Sequence, residues 1–120
     1  MKFTIKKAKK KIDWEGLMGW IYSDKNDYDK ASFVYAEVTG SHGKVKNFLS
    51  DRVYLIVDGQ GEFLMKGKTT KVKKGDVMLI PKNTIYDFKA LGGVMKIYLI
   101  HIPAFDRSGE VRYEERKERK

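Results

Sequence analysis

The chain has 120 residues, 42% of them hydrophobic and 34% charged, and a formal net charge of +9. That length suits one domain around one core, and the apolar share is too high for general disorder. Cysteine is absent, which excludes disulfides, thiol catalysis and zinc–thiolate centres. No apolar run approaches the ~20 residues of a membrane-spanning helix.

The opening "MKFTIKKAKKKIDW" is basic but has no long apolar stretch or small-residue cleavage site after it, so it does not read as a signal peptide. With no cysteine to protect, a reducing cytoplasm is the expected compartment. Lysine and glutamate are abundant and Gln60 is the only glutamine, a profile that resembles proteins of hot environments. A basic balance favours anionic partners. These lysines are spread along the chain, and read first as a solubilising surface.

In chain order, "KFTIKKA" (2–8) alternates apolar with polar, and "KKAKKK" (6–11) reads as surface or edge. "GLMGWIY" (16–22) is short and apolar, and "ASFVYAEV" (31–38) has the branched and aromatic content of a strand. Residues 39–51 read as a loop with a short extended piece. "RVYLIV" (52–57) is nearly continuous in apolar residues, as in a strand buried on both faces. "DGQG" (58–61) predicts a hairpin turn into "EFLMK" (62–66), because Asp-Gly supplies the positive φ such turns need. "KTTKVK" (68–73), "DVMLI" (76–80), "TIYDFKA" (84–90) and "VMKIYLIHI" (94–102) follow, with a turn at "PKN" (81–83). Short strands at regular spacing predict an all-β sandwich or barrel. One domain over 1–107 is expected, followed by a charged tail (108–120) that is a frayed helix or disordered.

Two stretches, "RVYLIVDGQGEF" (52–63) and "VKKGDVMLIPKNTIYDF" (72–88), resemble the two motifs of the cupin superfamily, at the spacing of a minimal single-domain cupin. The resemblance covers roughly residues 31 to 105 and implies a jelly-roll barrel with a pocket inside. Many cupins hold a transition metal through His-x-His, a glutamate and a later histidine. Here the glutamate position falls on Arg52, the later histidine on Tyr86, and the pair near Lys44 and Lys46. Arginine stays protonated, and lysine does so unless desolvated, so this set repels a cation. The resemblance thus implies the fold without the usual metal, and no cofactor is expected. Small cupins commonly associate through their sheets, which implies a homodimer.

If Arg52 points inward, strand alternation brings Tyr54 and Ile56 with it, and puts Tyr86 and Phe88 on one face. An unpaired buried arginine costs several kcal/mol. It can pair with Asp51, Asp87 or Glu37, reach solvent at the barrel mouth, or await an anionic ligand gripped bidentately. The reading that follows is a protein binding a small anionic or carbohydrate-like molecule, with isomerase-type or lyase-type chemistry. Arg52 holds the anion, Tyr54 and Tyr86 donate hydrogen bonds, and Lys44 and Lys46 sit at the mouth. His42 carries the proton, while Tyr86 polarises a carbonyl. One alternative is a rearranged metal site of His42, His101 and a carboxylate. Another is a structural or nucleic-acid-binding basic module. Against the latter, most aromatics lie in apolar strands rather than on an open basic surface.

Overall fold

The computed structural model describes residues 1–113. After a 3-10 turn (Ile5–Lys7) come β1 (Lys10–Trp14), β2 (Leu17–Ile21), β3 (Ser32–Val38), β4 (Val45–Asn47) and β5 (Asp51–Asp58). Then follow β6 (Gln60–Met65), β7 (Lys68–Lys73), β8 (Val77–Ile80), β9 (Tyr86–Ala90) and β10 (Met95–Ile102). A second 3-10 turn (Arg107–Gly109) leads into β11 (Glu110–Arg112). The strands form two antiparallel sheets, ordered β1-β2-β3-β10-β5-β8 and β11-β4-β9-β6-β7. This is the expected jelly-roll barrel. Among the described residues no helix is long and apolar enough to cross a membrane.

Period-two alternation builds the interior. Arg52, Tyr54 and Ile56 of β5 are buried, as are Tyr86 and Phe88 of β9. Phe63, Val72, Met95 and Ile97 pack with Tyr54, Ile56, Tyr86 and Phe88 in one cluster. The interior is graded along the barrel axis. Ile56, Ile97, Met95 and Val72 make an apolar floor, while Arg52 and His101, paired across β5 and β10, make a polar end.

Hairpin geometry keeps the strands in step. Gly59 has φ +77°, and a Cβ there would lie 2.2 Å from the Val94 carbonyl oxygen, so only glycine fits this turn. Asn83, in the turn after Pro81, has φ +66°, as the short polar side chain of asparagine tolerates.

Three expectations need correction. The alternation of residues 2–8 makes no strand. A 3-10 turn without buried residues lies there, and pairing begins at Lys10. β5 is buried on one face only. Val53 and Leu55 are half-buried and Val57 is exposed, because among the described residues no second layer covers that side of the sheet; on neighbouring β8, Val77 and Leu79 are 60% and 56% exposed. Finally, the barrel does not end at 107. Asp106 accepts a hydrogen bond from the Ser108 amide at 3.0 Å, capping the second 3-10 turn, and β11 then pairs with β4. Gly109 allows this close approach, since a Cβ there would lie 2.7 Å from Leu49 Cγ. The first part of the tail is therefore neither a frayed helix nor disordered, and its remainder, 114–120, lies outside the described residues.

Candidate functional site

Arg52 stands inside the barrel with 3% of its side chain exposed. Its Nη1 donates to the Tyr86 hydroxyl at 2.6 Å, and its Nη2 donates to Glu110 Oε1 at 2.5 Å. The Tyr54 and Tyr86 hydroxyls meet at 2.5 Å. One connected chain of polar groups thus runs Glu110–Arg52–Tyr86–Tyr54 through an aromatic interior. Tyr54 packs edge-on to Phe88 with ring centres 5.1 Å apart, and Phe63 stacks on Phe88 at 4.9 Å.

Glu110, Asp51, Asp87 and Glu37 compete for different donors. Arg52 pairs with Glu110 rather than with the three carboxylates expected from the sequence. Asp51 instead accepts the Lys82 amide at 2.8 Å, and Glu37 accepts the Tyr35 hydroxyl at 3.0 Å. Asp87 accepts the amides of Gly43 at 2.8 Å and Phe88 at 2.7 Å. That carboxylate anchors the loop carrying His42.

His42 is buried, its backbone amide held by the Phe88 carbonyl at 2.7 Å. Its ring stacks on Phe88 at 4.5 Å and lies 6.2 Å from the Tyr86 ring centre. His42 Nδ1 is 2.9 Å from the Gly43 carbonyl oxygen. A carbonyl only accepts, so in the neutral ring Nδ1 carries the hydrogen and Nε2 holds the lone pair.

Electrostatics keep the Tyr54 phenol as a donor. Burial first, then the Tyr86 oxygen, push the Tyr54 hydroxyl well above its ordinary pKa, outweighing the pull of Arg52. For Arg52, burial is the largest influence and opposes the charge. Tyr86, Tyr54 and Glu110 together outweigh it, and the guanidinium is held protonated.

The structure brings His42, Arg52, Tyr54 and Tyr86 together, but not the lysines. In β4 the buried residues are Val45 and Asn47. Lys44 is exposed, and Lys46 alternates outward with its Nζ 4.5 Å from the Phe48 ring centre. A one-residue difference in register moves every side chain to the other face. Lys44 and Lys46 therefore do not line the site.

The donors present do not fit the metal of the wider fold family. At Arg52 stands a donor-only guanidinium already paired with a carboxylate, and beside it two phenols bonded to each other. The alternative site of His42, His101 and a carboxylate does not form either: among the described residues no three histidines or carboxylates converge as a cation requires. His101 lies in register with Arg52 on the neighbouring strand, buried, with its ring 5.1 Å from Phe105. Burial, and secondarily Arg52, hold its pKa well below the usual histidine range.

Sequence reasoning missed two groups. Glu110 and Arg112 share the inward face of β11, and the Arg112 guanidinium lies 4.8 Å from the Trp14 ring centre at the rim. The available signal was "GEVR" (109–112), a glycine followed by charged–apolar–charged alternation.

Comparison with known proteins agrees with this architecture. The family described as "Ethanolamine utilisation protein EutQ" matches residues 45–107. The uncharacterized protein MJ1618 of Methanocaldococcus jannaschii is 31% identical over 61 residues, and the chain spans about half the length of this relative. Among solved structures, a tyrosine-to-phenylalanine variant of Streptomyces PAC13 with uridine is 25% identical, with a TM-score of 0.82. That match covers 96% of this chain and 93% of the other. PAC13 is described as a nucleoside dehydratase, and histidine-to-glutamine and second tyrosine variants were also solved with uridine. KdgF from Halomonas sp. is 17% identical with a TM-score of 0.76, covering 90% of this chain and 97% of that one, which bears on the fold alone.

Proposed function

The chain belongs to the EutQ family, a family of cupins, and on that footing we propose that it binds a neutral, sugar-bearing small molecule in its barrel and removes water from it. The reaction is of the lyase type, with His42 as the proton carrier and no metal at the family's usual position. One observation carries this reading. A buried imidazole with its lone pair on Nε2 stands beside a guanidinium–phenol–phenol chain. The charge of Arg52 is met by Glu110, which removes the support for an anionic ligand and leaves the carbohydrate-like one.

Dehydration breaks a C–H and a C–O bond on neighbouring carbons and forms a C=C bond. His42 Nε2 takes the proton from carbon and returns it to the departing hydroxyl, which leaves as water. Arg52 can only donate, so Tyr86 accepts from it and passes its own hydrogen to Tyr54 Oη. Tyr54 presents the last hydrogen to a substrate oxygen on which charge develops. The likeness to PAC13, solved with uridine in histidine and tyrosine variants, supports a nucleoside as the first ligand to try.

The test is titration of the intact protein with uridine, followed by histidine and tyrosine ring resonances. Saturable shifts at His42, Tyr54 and Tyr86 are expected, weakened at least tenfold by Tyr86→Phe. Absence of saturation in the millimolar range, or shifts confined to the exposed surface, overturns the reading.

We also propose that two copies associate through the outer face of the β10–β5–β8 sheet. Val77, Leu79, Tyr98 and Ile102 are exposed there across paired strands. Lys96 lies in register with Glu37 and Asp58, so this face is balanced in a chain of net charge +9. A second copy, itself self-complementary at an apolar patch, is the occupant that fits. Sedimentation should give a dimer that Val77→Glu with Leu79→Glu converts to a monomer; a monomeric native protein overturns this.

A further inference from the structure

Glu110 lies beyond the segment that matches the family, which ends at residue 107. Its two carboxylate oxygens face two different arginines. Oε1 is 2.5 Å from Arg52 Nη2 inside the barrel, and Oε2 is 3.6 Å from Arg112 Nη2 toward the rim. The side chains of Glu110 and Arg52 are 10% and 3% exposed, and Arg112 is 29% exposed. Two guanidiniums converging on one pair of oxygens is the arrangement by which proteins grip a free carboxylate or phosphate. Here the chain supplies the oxyanion itself.

We infer that Glu110 is a specificity-determining residue: it occupies an oxyanion position between Arg52 and Arg112 and so closes the site to anionic ligands. The inference deepens the neutral-ligand reading, on which its biological sense rests. Several observations support it beyond the ion pairs. Glu110 is delivered by backbone pairing with Asn47, not by a flexible side-chain excursion. The capped turn at Asp106 and the close packing of Gly109 on Leu49 set where β11 begins. The Arg112 guanidinium also lies over the Trp14 ring. Without Glu110, Arg52 Nη2 and Arg112 Nη2 lose their shared acceptor and an incoming oxyanion meets two forks. With it, an anion approaching Arg52 also meets a like charge.

The test uses inorganic phosphate and needs no knowledge of the natural ligand. Native protein, Glu110→Gln, and Glu110→Gln combined with Arg52→Gln are titrated with phosphate against sodium chloride of equal ionic strength, reading calorimetric binding and melting temperature. The isosteric glutamine keeps the β4–β11 backbone pairing. Phosphate is expected to bind Glu110→Gln at least tenfold more tightly than the other two, and to raise the melting temperature of that variant alone. The double variant subtracts binding by surface lysines. Equal binding by native protein and Glu110→Gln, or no gain over the double variant, overturns the inference. Should Glu110→Gln fail to fold, Glu110→Asn replaces it; it also lacks the carboxylate charge, so a gain in phosphate binding is again expected and its absence overturns the inference. Failure of uridine to bind would leave the phosphate result standing, so the two readings fail separately.

Discussion

Arg52 and Glu110 are 58 positions apart in the chain and meet at 2.5 Å inside the barrel. The contact joins β5 of the six-stranded sheet to β11 of the five-stranded one, linking the site's charge balance to the closing of the fold.

Removing one partner leaves the other buried and uncompensated. Glu110→Ala should therefore lower stability by about 3–5 kcal/mol, whereas replacing both by apolar residues of similar volume (Arg52→Met with Glu110→Leu) should cost much less. Urea denaturation of the two singles and the double checks this, and additive losses would contradict it.

The two phenols should differ. Tyr86→Phe removes the acceptor for Arg52 Nη1 as well as the partner of Tyr54. Its cost should be about 1.5–3 kcal/mol, against about 1 kcal/mol for Tyr54→Phe, because bonds to a charged donor are the stronger. Equal losses in thermal or urea unfolding would mean that Arg52 does not rely on Tyr86.

Gly109→Ala should act locally. The added Cβ meets Leu49 Cγ at 2.7 Å and Leu49 Cβ at 3.0 Å, so β11 or Leu49 has to shift, at about 1–3 kcal/mol for an overpacked contact. Amide exchange should speed up at 110–112 and in β4 while β5 and β10 keep their protection. Unchanged exchange at β11 would show that the contact is easily relieved.

His101 should make the protein acid-sensitive. Its folded pKa lies well below the ordinary value of 6.5, through burial and then through Arg52. Below that ordinary value the unfolded chain binds a proton that the folded chain refuses, so stability falls as pH drops through and below that point. His101→Gln should flatten this part of the stability–pH curve. An identical slope in the variant would assign the acid sensitivity to other groups.

Much of the barrel was legible because its rules are local. A strand turns successive side chains to opposite faces, so "RVYLI" sends Arg52, Tyr54 and Ile56 to one side whatever lies across from them. Turn chemistry is local too: Gly59 and Asn83 hold the positive φ that Asp-Gly and Pro-x-Asn announce. Alternation also put Tyr86 and Phe88 together, and the motif spacing brought them to Arg52.

What the sequence by itself determined, then, was the strand pattern, the turns, and an arginine among tyrosines in an apolar interior. The tertiary structure alone decided three matters: Glu110 as the partner of Arg52, Val45 and Asn47 instead of Lys44 and Lys46 as the inward pair, and the uncovered outer face of β5. Each depends on which strand lies beside which and in what register. Such long-range pairing is selected by the free energy of the whole packed barrel, and a residue's near neighbours in sequence carry almost none of that information.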